Sequence, residues 1–419
     1  MMKKRILALI ASGVLTAGAV GAFAGCGGDG DAVKLTLWGP AEQQTTLAAM
    51  VEEFKAANPD TKYDIKVDTC GEDMTVSNVG SDPDTAADVF GYVSDQLVPL
   101  LRVGALAELG GVFLDNVVAE NTEASVAAGT FNNAVYGYPY AGDNTYFMYY
   151  NKSVVADDEV GSLEEIIDAC NAAGKKIAWA FDLPWYTAGW FFTFGCDFSV
   201  EYGDAQNPYS ETNATCNFNN EDGVLASKAM EKLVASGAML SGTGLSDSII
   251  KTKFQTGEIA VAVSGTWNAR EIEGILGENY GVCELPTVTV EGRTEHLRSF
   301  MGYKFYGVNR HSKNLIEAHK LAAFLSGEAM QLERFEKHNI GPTNNAVAEL
   351  SEVKNNPAIK AVKAQMSYTR LQESAPGDFW EPLKGYGVNV IGSKIKDSNR
   401  QTQLNSLVID ILGKFAPNN

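Results

Sequence analysis

The sequence predicts an α/β layer fold, because strand-like and helix-like segments alternate along its first hundred residues. Segments 33–38, 63–68 and 86–93 have the short alternating or apolar runs that are typical of β-strands. Between and after them, 47–54 and 94–109 repeat apolar residues at helical spacing. Strands separated by helices imply parallel βαβ units, so we expect a parallel sheet that is covered by helices.

The same alternation continues through the rest of the chain. The aromatic, turn-broken segment 136–151 is typical of a crossing between domains. Helical spacing at 163–170, a strand at 259–263 and a strand followed by a helix at 304–325 extend the pattern, and the tail from about 351 is mainly helical. Neither an internal repeat nor a disordered linker interrupts the sequence, so we expect the parts to pack against each other.

The first 25 residues have the pattern of a secretory signal peptide. Three basic residues, Lys3, Lys4 and Arg5, precede an apolar stretch that ends in small residues before Cys26. That ending resembles a bacterial lipobox, in which the cysteine becomes the lipidated N-terminus. We therefore expect 26–32 to be a tether, and the protein to be anchored on the outer face of the cytoplasmic membrane. The alternative is a plain signal peptide with a coincidental cysteine.

The chain is acidic, with a formal net charge of −19. Removal of the signal peptide takes away three of its 33 basic residues and none of its 52 acidic ones, which brings the charge to −22. This balance argues against nucleic acid and against electrostatic docking on anionic lipid. No stretch after the signal peptide is long and apolar enough to span a bilayer.

Sequence motifs give no sign of an enzyme, a cofactor or a metal. The match of 25–30 to GxGxxG follows no strand and spans the lipobox cysteine, so we disregard it. The sequence lacks GxxxxGK[ST], HExxH and GxSxG. The five cysteines beyond Cys26 do not have the spacing of metal ligands. A disulfide between Cys196 and Cys216 is possible. The five are Cys70, Cys170, Cys196, Cys216 and Cys283.

Several short motifs, in a fixed order, resemble one protein family. Together they are similar to the extracellular solute-binding proteins of ABC sugar importers, in the maltose/maltodextrin-binding branch. The resemblance covers essentially the whole chain after the signal peptide. Its motifs are the lipobox, KLTLW, FKAANPD, AADVFGY, YGYPY followed by YYNK, FQTGEIAVAVSGTW, YGVCELP and a late FW pair.

This resemblance implies two α/β lobes, each built from separate stretches of the chain, with a ligand cleft between them. The implied N-terminal lobe is 33–143 plus 303–344, and the implied C-terminal lobe is 147–299 plus 347–419. Hinge crossings are expected near 143–147, 299–303 and 344–347. Such a fold is periplasmic-binding-protein-like, and its lobes close over a bound sugar.

The resemblance also implies a function without chemistry on the protein. We expect a monomeric, lipid-anchored receptor that captures maltooligosaccharides, the α-1,4 glucans, by lobe closure. It would then deliver them to the membrane permease of an ABC importer. No cofactor is expected.

An oligosaccharide site needs aromatic rings, because a pyranose has apolar C–H faces that gain about 1–3 kcal/mol each from burial against a ring. Trp267 lies at a corner where the apolar strand 259–263 ends in Ser-Gly-Thr, and ligands gather outside the carboxyl ends of strands in open α/β sheets. By the resemblance, the stacking candidates are Trp267, Trp380, Trp185 with its neighbour Tyr186, and Tyr92; an ordinary core aromatic is the alternative for each.

Polar side chains set specificity, since a buried hydroxyl that is left unpaired costs about 1–3 kcal/mol. Asp95 matches a family carboxylate that accepts sugar hydroxyls, and Asn144 stands where well-known maltose binders have a glutamate. The candidates are Glu42, Gln43, Glu72, Asp95, Asp143, Asn144, Arg298 and Arg370. For the two arginines, an exposed or ion-paired role is the alternative.

Two other functions stay open at this point. A binding protein for a xylo- or galacto-type oligosaccharide would carry the same stacking rings, because all pyranosides present C–H faces. A surface glycoside hydrolase would need two cleft carboxylates about 5–10 Å apart, and no pair in the sequence stands out as such.

Overall fold

Two β-sheets organise the chain in a computed structural model that describes residues 32–203, 207–372 and 375–415. The predicted signal peptide, the lipidation site Cys26 and all but the last residue of the tether lie outside the described residues. The fold class is α/β, as predicted. The strands are β1 (Val33–Gly39), β2 (Tyr63–Thr69), β3 (Val89–Val93), β4 (Thr130–Phe131), β5 (Ala134–Val135), β6 (Tyr138–Asn144), β7 (Phe147–Asn151), β8 (Lys176–Ala178), β9 (Phe198–Tyr202), β10 (Glu211–Cys216), β11 (Ile259–Ser264), β12 (Tyr280–Cys283), β13 (Thr287–Val290), β14 (Arg293–His296), β15 (Ser299–Val308) and β16 (Thr369–Leu371).

Helices cover both sheets. In chain order the helices of the described residues are α1 (Gln44–Ala57), α2 (Thr75–Ser81), α3 (Leu97–Arg102), α4 (Gly111–Glu120), α5 (Glu123–Ala128), α6 (Leu163–Ala172), α7 (Pro184–Thr193), α8 (Glu221–Ala235), α9 (Asp247–Gln255), α10 (Ala269–Leu276), α11 (Leu315–Ser326), α12 (Glu328–His338), α13 (Asn345–Ala348), α14 (Ser351–Asn355), α15 (Pro357–Gln365), α16 (Trp380–Ile391) and α17 (Arg400–Lys414). None of them combines the length and the apolar character needed to cross a bilayer.

The sheet of the N-terminal lobe has the strand order β16-β15-β3-β1-β2, and β6 also pairs with β15. Its strands β1, β2 and β3 are parallel, with Leu37 opposite Val89, as the βαβ pattern predicts. The helix predicted over 94–109 is shorter than expected. It ends at Arg102 because Gly104 adopts a left-handed backbone conformation (φ +70°), which stops a helix.

The sheet of the C-terminal lobe has the order β12-β7-β11-β8. Strand β11 runs parallel to β8 and antiparallel to β7, which in turn pairs antiparallel with β12. All six residues of β11 are buried, so this strand is central to the lobe. Its carboxyl end therefore delivers whatever follows it to the edge of the lobe.

The long strand β15 contributes to the cores of both lobes, because Phe300 packs in the cluster of the C-terminal lobe and Phe305 packs in a cluster with Tyr92. Its first three residues, 299–301, pair in parallel with β16, and from Lys304 onward it pairs antiparallel with both β3 and β6. The chain also passes from the first sheet to the second between β6 and β7. The predicted lobe boundaries, 33–143 with 303–344 and 147–299 with 347–419, stay predictions.

Each sheet has its own apolar core. Around β1 and β2, buried residues such as Leu37, Phe54 and Leu321 form one cluster. In the C-terminal lobe, Trp190 and Leu383 belong to a larger cluster that includes helices α7, α8, α16 and α17. A core in each lobe allows the lobes to keep their internal packing while the surfaces between them change.

The five cysteines of the described residues are free thiols, so the Cys196–Cys216 disulfide is not formed. Burial raises the pKa of the Cys170 thiol to about 12, and burial raises that of Cys216 to about 11. Thiols with raised pKa values are poor nucleophiles at neutral pH. We therefore assign Cys170 and Cys216 to packing.

We expect alanine substitutions at two glycines of α16, Gly385 and Gly387, to have opposite effects on stability. A Cβ atom at Gly387 would lie 1.7 Å from the carbonyl oxygen of Phe181, whereas one at Gly385 would meet nothing within 4 Å. Because backbone cannot move aside easily, Gly387→Ala should lower the free energy of unfolding by about 1–3 kcal/mol or more.

The matched control, Gly385→Ala, should stabilise the protein by about 0.5–1 kcal/mol through helix propensity. Urea denaturation of both variants measures the difference. Equal effects at the two positions would contradict the close approach of α16 to Phe181.

Candidate functional site

The corner after β11 holds Trp267 at the edge of the C-terminal lobe. A short 3-10 turn, Thr266–Asn268, joins β11 to α10 there. A Cβ atom at Gly265 would lie 2.0 Å from the ring of Trp267, so only glycine lets the ring fold back over the corner. The ring is half-buried and does not belong to the apolar cores of the described residues. The strand end therefore presents it outward.

Three of the predicted stacking residues, Trp185, Tyr186 and Trp267, lie together with Tyr146 in what we call the aromatic group. The ring centroids of Trp185 and Trp267 are 6.0 Å apart with a 34° angle between planes. The ring of Tyr146 packs against two of the others, with centroid distances of 4.8 Å to Trp185 and 4.7 Å to Tyr186. The two tyrosines are buried and the two tryptophans are half-buried, so the tryptophans offer the accessible aromatic surface.

Trp380 lies apart from the aromatic group. It is half-buried at the start of α16, and its ring packs edge-on against Phe300 and Phe379, at 5.1 Å from each. Phe300 belongs to β15, the strand shared by the two lobes. Trp380 is thus close to the hinge, but the structure does not bring it into ring contact with Trp267.

The structure places Tyr92 in the core of the N-terminal lobe, contrary to the expected stacking role. The residue is completely buried and its ring stacks on Phe305, with centroids 5.2 Å apart. Its hydroxyl has no hydrogen-bond partner among the described residues. Burial of this kind leaves neither face of the ring open to a ligand, which is a consequence of the fully buried strand β3.

Lys304, which the sequence analysis missed, lies between the two lobes. Its Nζ is 3.6 Å from Oε1 of Glu72 and 5.8 Å from the ring centroid of Trp267. Glu72 is buried, and the same oxygen accepts a 2.5 Å hydrogen bond from the hydroxyl of Tyr140. Burial lowers the pKa of Lys304, but the carboxylates of Glu72, Asp143 and Glu42 outweigh that effect, so its pKa lies above the ordinary value.

Two carboxylates from different lobes also converge on this region. Glu42 is exposed by surface area, yet protein surrounds it closely enough that desolvation raises its pKa, with smaller contributions from Glu72 and Asp247. Asp247, another residue that the sequence analysis missed, begins α9 and accepts hydrogen bonds from Asn268 (2.5 Å) and Ser264 (3.4 Å). Within the described residues these groups do not form a metal-binding cluster.

Asp143 fastens the tryptophan corner to the hinge. Its Oδ2 accepts hydrogen bonds from the hydroxyl of Thr266 and the backbone amide of Gly341, both 2.5 Å long. Burial raises the pKa of Asp143, and the two hydrogen bonds oppose that shift. Oδ2 of this carboxylate therefore already accepts two hydrogen bonds from within the protein.

Asn144 and Asp95 are connected through a third polar residue. Nδ2 of Asn144 donates to Oε1 of Gln372 (2.7 Å), whose Nε2 donates to Oδ1 of Asp95 (3.1 Å). A Cβ atom at Gly302 would lie 2.7 Å from the Gln372 oxygen, so the glycine gives this chain of amides its room. The structure thus brings these two predicted residues together at the hinge.

Gln43 is buried beneath the site. Its Oε1 accepts a hydrogen bond from Nε of the completely buried Arg334, at 3.4 Å. The Arg334 guanidinium also donates to the hydroxyl of Tyr306 (2.7 Å) and lies over the rings of Tyr140 and Tyr306. Gln43 is engaged with the core of the N-terminal lobe in this conformation.

The predicted arginines Arg298 and Arg370 line a separate depression of about 460 Å³ in the C-terminal lobe. Arg370 pairs with Asp197 and lies 4.5 Å above the ring of Phe192. Arg298 is exposed. The ion-paired and exposed states are the alternatives that the sequence left open for these residues.

The hairpin of β9 and β10 reaches across to the N-terminal lobe, and we call this contact the clasp. Arg102 forms a 2.6 Å ion pair with Glu211, whose side chain is only 8% exposed, and also donates to the carbonyl of Tyr209 at 3.1 Å. The ring of Tyr209 lies 5.6 Å from that of Phe131.

Elsewhere between the lobes, Arg270 donates a hydrogen bond to the carbonyl of Glu336. Both contacts require the lobes to be close.

Comparison with known proteins gives consistent matches over most of the chain. The sequence profile described as bacterial extracellular solute-binding protein matches residues 49–361. A galactooligosaccharide-binding protein of Bacillus subtilis (strain 168) is 25% identical over 360 residues, or 83% of this chain and 82% of the relative. A maltooligosaccharide ABC transporter solute-binding lipoprotein of Streptococcus pneumoniae (strain ATCC BAA-255 / R6) is 27% identical over 70% of each chain.

Solved structures match equally broadly. A structure determined with acarbose is 28% identical and superposes with a TM-score of 0.83, over 92% of this chain and all of the other. The maltotriose binding protein of Thermus thermophilus, bound with maltotriose, has a TM-score of 0.76 at 17% identity, over 91% of this chain and all of the other. At that lower identity the likeness concerns the fold.

The unpartnered hydroxyl of Tyr92 gives a prediction about its role. Because a buried polar group without a partner costs about 1–3 kcal/mol, Tyr92→Phe should raise the free energy of unfolding by up to about 1 kcal/mol. Thermal and urea denaturation measure this change. A loss of stability would mean that the hydroxyl has a hydrogen-bond partner in solution. Weaker ligand binding at unchanged stability would mean that Tyr92 belongs to the site.

Proposed function

Because this chain belongs to the bacterial extracellular solute-binding proteins, we propose that it captures maltooligosaccharides beside Trp267 and delivers them to the permease of an ABC importer. The observation that carries the proposal is the aromatic group, whose two half-buried tryptophans have ring centroids 6.0 Å apart. Asp247 accepts a hydrogen bond from Asn268, the residue after Trp267, and also helps to raise the pKa of Glu42, which belongs to the other lobe. Rings of this kind suit the C–H faces of a glucose unit. The maltooligosaccharide-binding relative and the structure with acarbose support the same class of ligand.

The proposed mechanism uses binding alone. A ligand in the cleft stacks on Trp267 and Trp185, and its hydroxyls donate to Glu42 and Asp247, which come from different lobes. Contacts to both lobes favour the closed conformation by the difference in ligand affinity between the two conformations. The permease then recognises the closed form.

We extend the proposal to the setting of the protein. The chain acts as a monomer on the outer face of the cytoplasmic membrane, held by a lipid on Cys26. Support for this comes from the lipobox-like sequence at 23–26 and from the relative that is itself a lipoprotein.

A second candidate ligand is a galactooligosaccharide, favoured by the relative that matches 83% of this chain. Stacking rings do not distinguish the two, because both sugars present C–H faces. Calorimetric titration with maltose to maltoheptaose, alongside galacto- and xylo-oligosaccharides, separates them. Binding of the galacto-series alone would overturn the maltooligosaccharide assignment in favour of this candidate.

Trp267→Ala tests the proposed stacking surface. Removal of the ring should weaken maltotriose binding by about ten-fold or more, since a buried aromatic contact contributes about 1–3 kcal/mol. The change in stability should be small because the ring is half-buried at an edge; a core tryptophan would cost about 3–5 kcal/mol.

The matched variant Trp267→Tyr keeps a flat ring at the same corner and should retain most of the affinity. Calorimetry gives the affinities and thermal unfolding gives the stabilities. A destabilised Trp267→Ala protein with unchanged affinity would assign the ring to packing and not to the ligand.

If the clasp holds the lobes together, loss of Arg102 should disfavour the closed conformation. Arg102→Ala leaves Glu211 without its cation in a nearly buried position, which disfavours the closed conformation. We expect severalfold weaker maltotriose binding, as measured by calorimetry, and a larger radius of gyration at the same maltotriose concentration, as measured by small-angle X-ray scattering.

The control for this experiment is Lys337→Ala, which removes an ion pair with Glu333 that lies within helix α12. It should change neither quantity. If both variants have the scattering profile of the wild type, the clasp does not hold the lobes together.

A further inference from the structure

The ammonium of Lys304 is nearly enclosed yet poorly satisfied. Its side chain is 13% exposed, and an ammonium carries three N–H donors. Among the described residues its polar contact is with Glu72, at 3.6 Å, which is longer than a good charge-assisted hydrogen bond of about 2.7–2.9 Å. The ammonium also lies over the ring of Trp267, 5.8 Å from the centroid, so its remaining donors are available to acceptors on that side.

Glu72 does not close on Lys304 because another group holds it. The hydroxyl of Tyr140 donates to the same oxygen, Oε1, at 2.5 Å, and Glu72 itself is buried beneath Gly91, where a Cβ atom would lie 3.0 Å from its side chain. The carboxylate is thus fixed from two sides. The carboxylate therefore attracts the ammonium of Lys304 without a short hydrogen bond between them, at 3.6 Å.

The position of Lys304 in the sheet directs it toward the ligand region. It lies opposite Val93 of β3 and Ala141 of β6, so its backbone is held on both sides. From there the side chain reaches within 5.8 Å of the ring centroid of Trp267, in the other lobe. A donor group thus lies between a rigid sheet and the proposed stacking surface.

We propose that Lys304 is a specificity-determining ligand residue, whose ammonium donates hydrogen bonds to hydroxyl oxygens of the sugar unit that stacks on Trp267. Glu72 and Tyr140 position it. The inference rests on the proposed function and identifies one donor of the site. It also narrows the ligand class to uncharged, hydroxyl-rich oligosaccharides, because Lys304 is already offset by Glu72, and Glu42 and Asp247 would repel an anionic sugar.

Lys304→Met tests the inference, because methionine keeps much of the length and apolar volume but has no donor. We expect maltotriose to bind about ten-fold more weakly or worse, as for a lost hydrogen bond to a charged group. The thermal midpoint of the unliganded protein should fall, because the buried Glu72 loses its neighbouring cation, and the rise of the midpoint on adding maltotriose should shrink. Lys337→Met, on the surface of α12, is the matched control and should bind as the wild type does.

A structural role for Lys304, as a mere counter-charge for Glu72, makes a different prediction. In that case the double variant Lys304→Met with Glu72→Gln, which removes both charges, would regain wild-type affinity. Under our inference it stays about ten-fold weaker or worse. The double variant also supplies the comparison if Lys304→Met alone does not fold.

The outcomes separate this inference from the function on which it rests. Wild-type protein that binds neither maltotriose nor a galactotriose overturns both. Wild-type binding that Trp267→Ala weakens and Lys304→Met leaves unchanged overturns the inference alone. A weakened Lys304→Met protein whose affinity the double variant does not restore supports it.

Discussion

The hydrogen bonds of Asp143 are the interaction on which the site depends. This one buried carboxylate joins the end of β6 to Thr266, which precedes Trp267, and to Gly341, which follows α12. Burial alone would favour its protonated form, and its donors offset that cost. The corner that carries Trp267 is therefore hydrogen-bonded, through Thr266, to the end of β6.

The charged side chains between the lobes are also governed by burial. Carboxylates from both lobes, Glu42, Glu72 and Asp247, face one region, and Lys304 is the cation that lies among them in the described residues. Bringing like charges together disfavours closure without a ligand. A ligand rich in hydroxyl donors relieves this repulsion, and one with C–H faces fills the space beside the tryptophans. Both properties belong to the uncharged oligosaccharide that we propose as the ligand.

The sequence predicts local features of the fold well and tertiary ones poorly. Alternation and helical spacing identify β1, α1, β2 and β3, and the strand end before Trp267 identifies its corner, because each depends on neighbours along the chain. Tyr92 follows the same pattern as a strand-end aromatic, yet stacking on Phe305 from the distant β15 buries it. Antiparallel pairing of that strand, some two hundred residues later, is not readable from local periodicity.

Lys304 nevertheless leaves a signal in the sequence that can be recognised in retrospect. It is a single charge within the strand 299–308, in which every other residue is buried, and such a position is costly unless a partner or a ligand meets the charge. Asp247 leaves no comparable mark, because an exposed aspartate at a helix start is common for reasons of capping and dipole alone. A charged residue on a buried strand is thus detectable from the cost of burying it. A charged residue at an exposed helix start becomes a candidate only when the opposite lobe is in place.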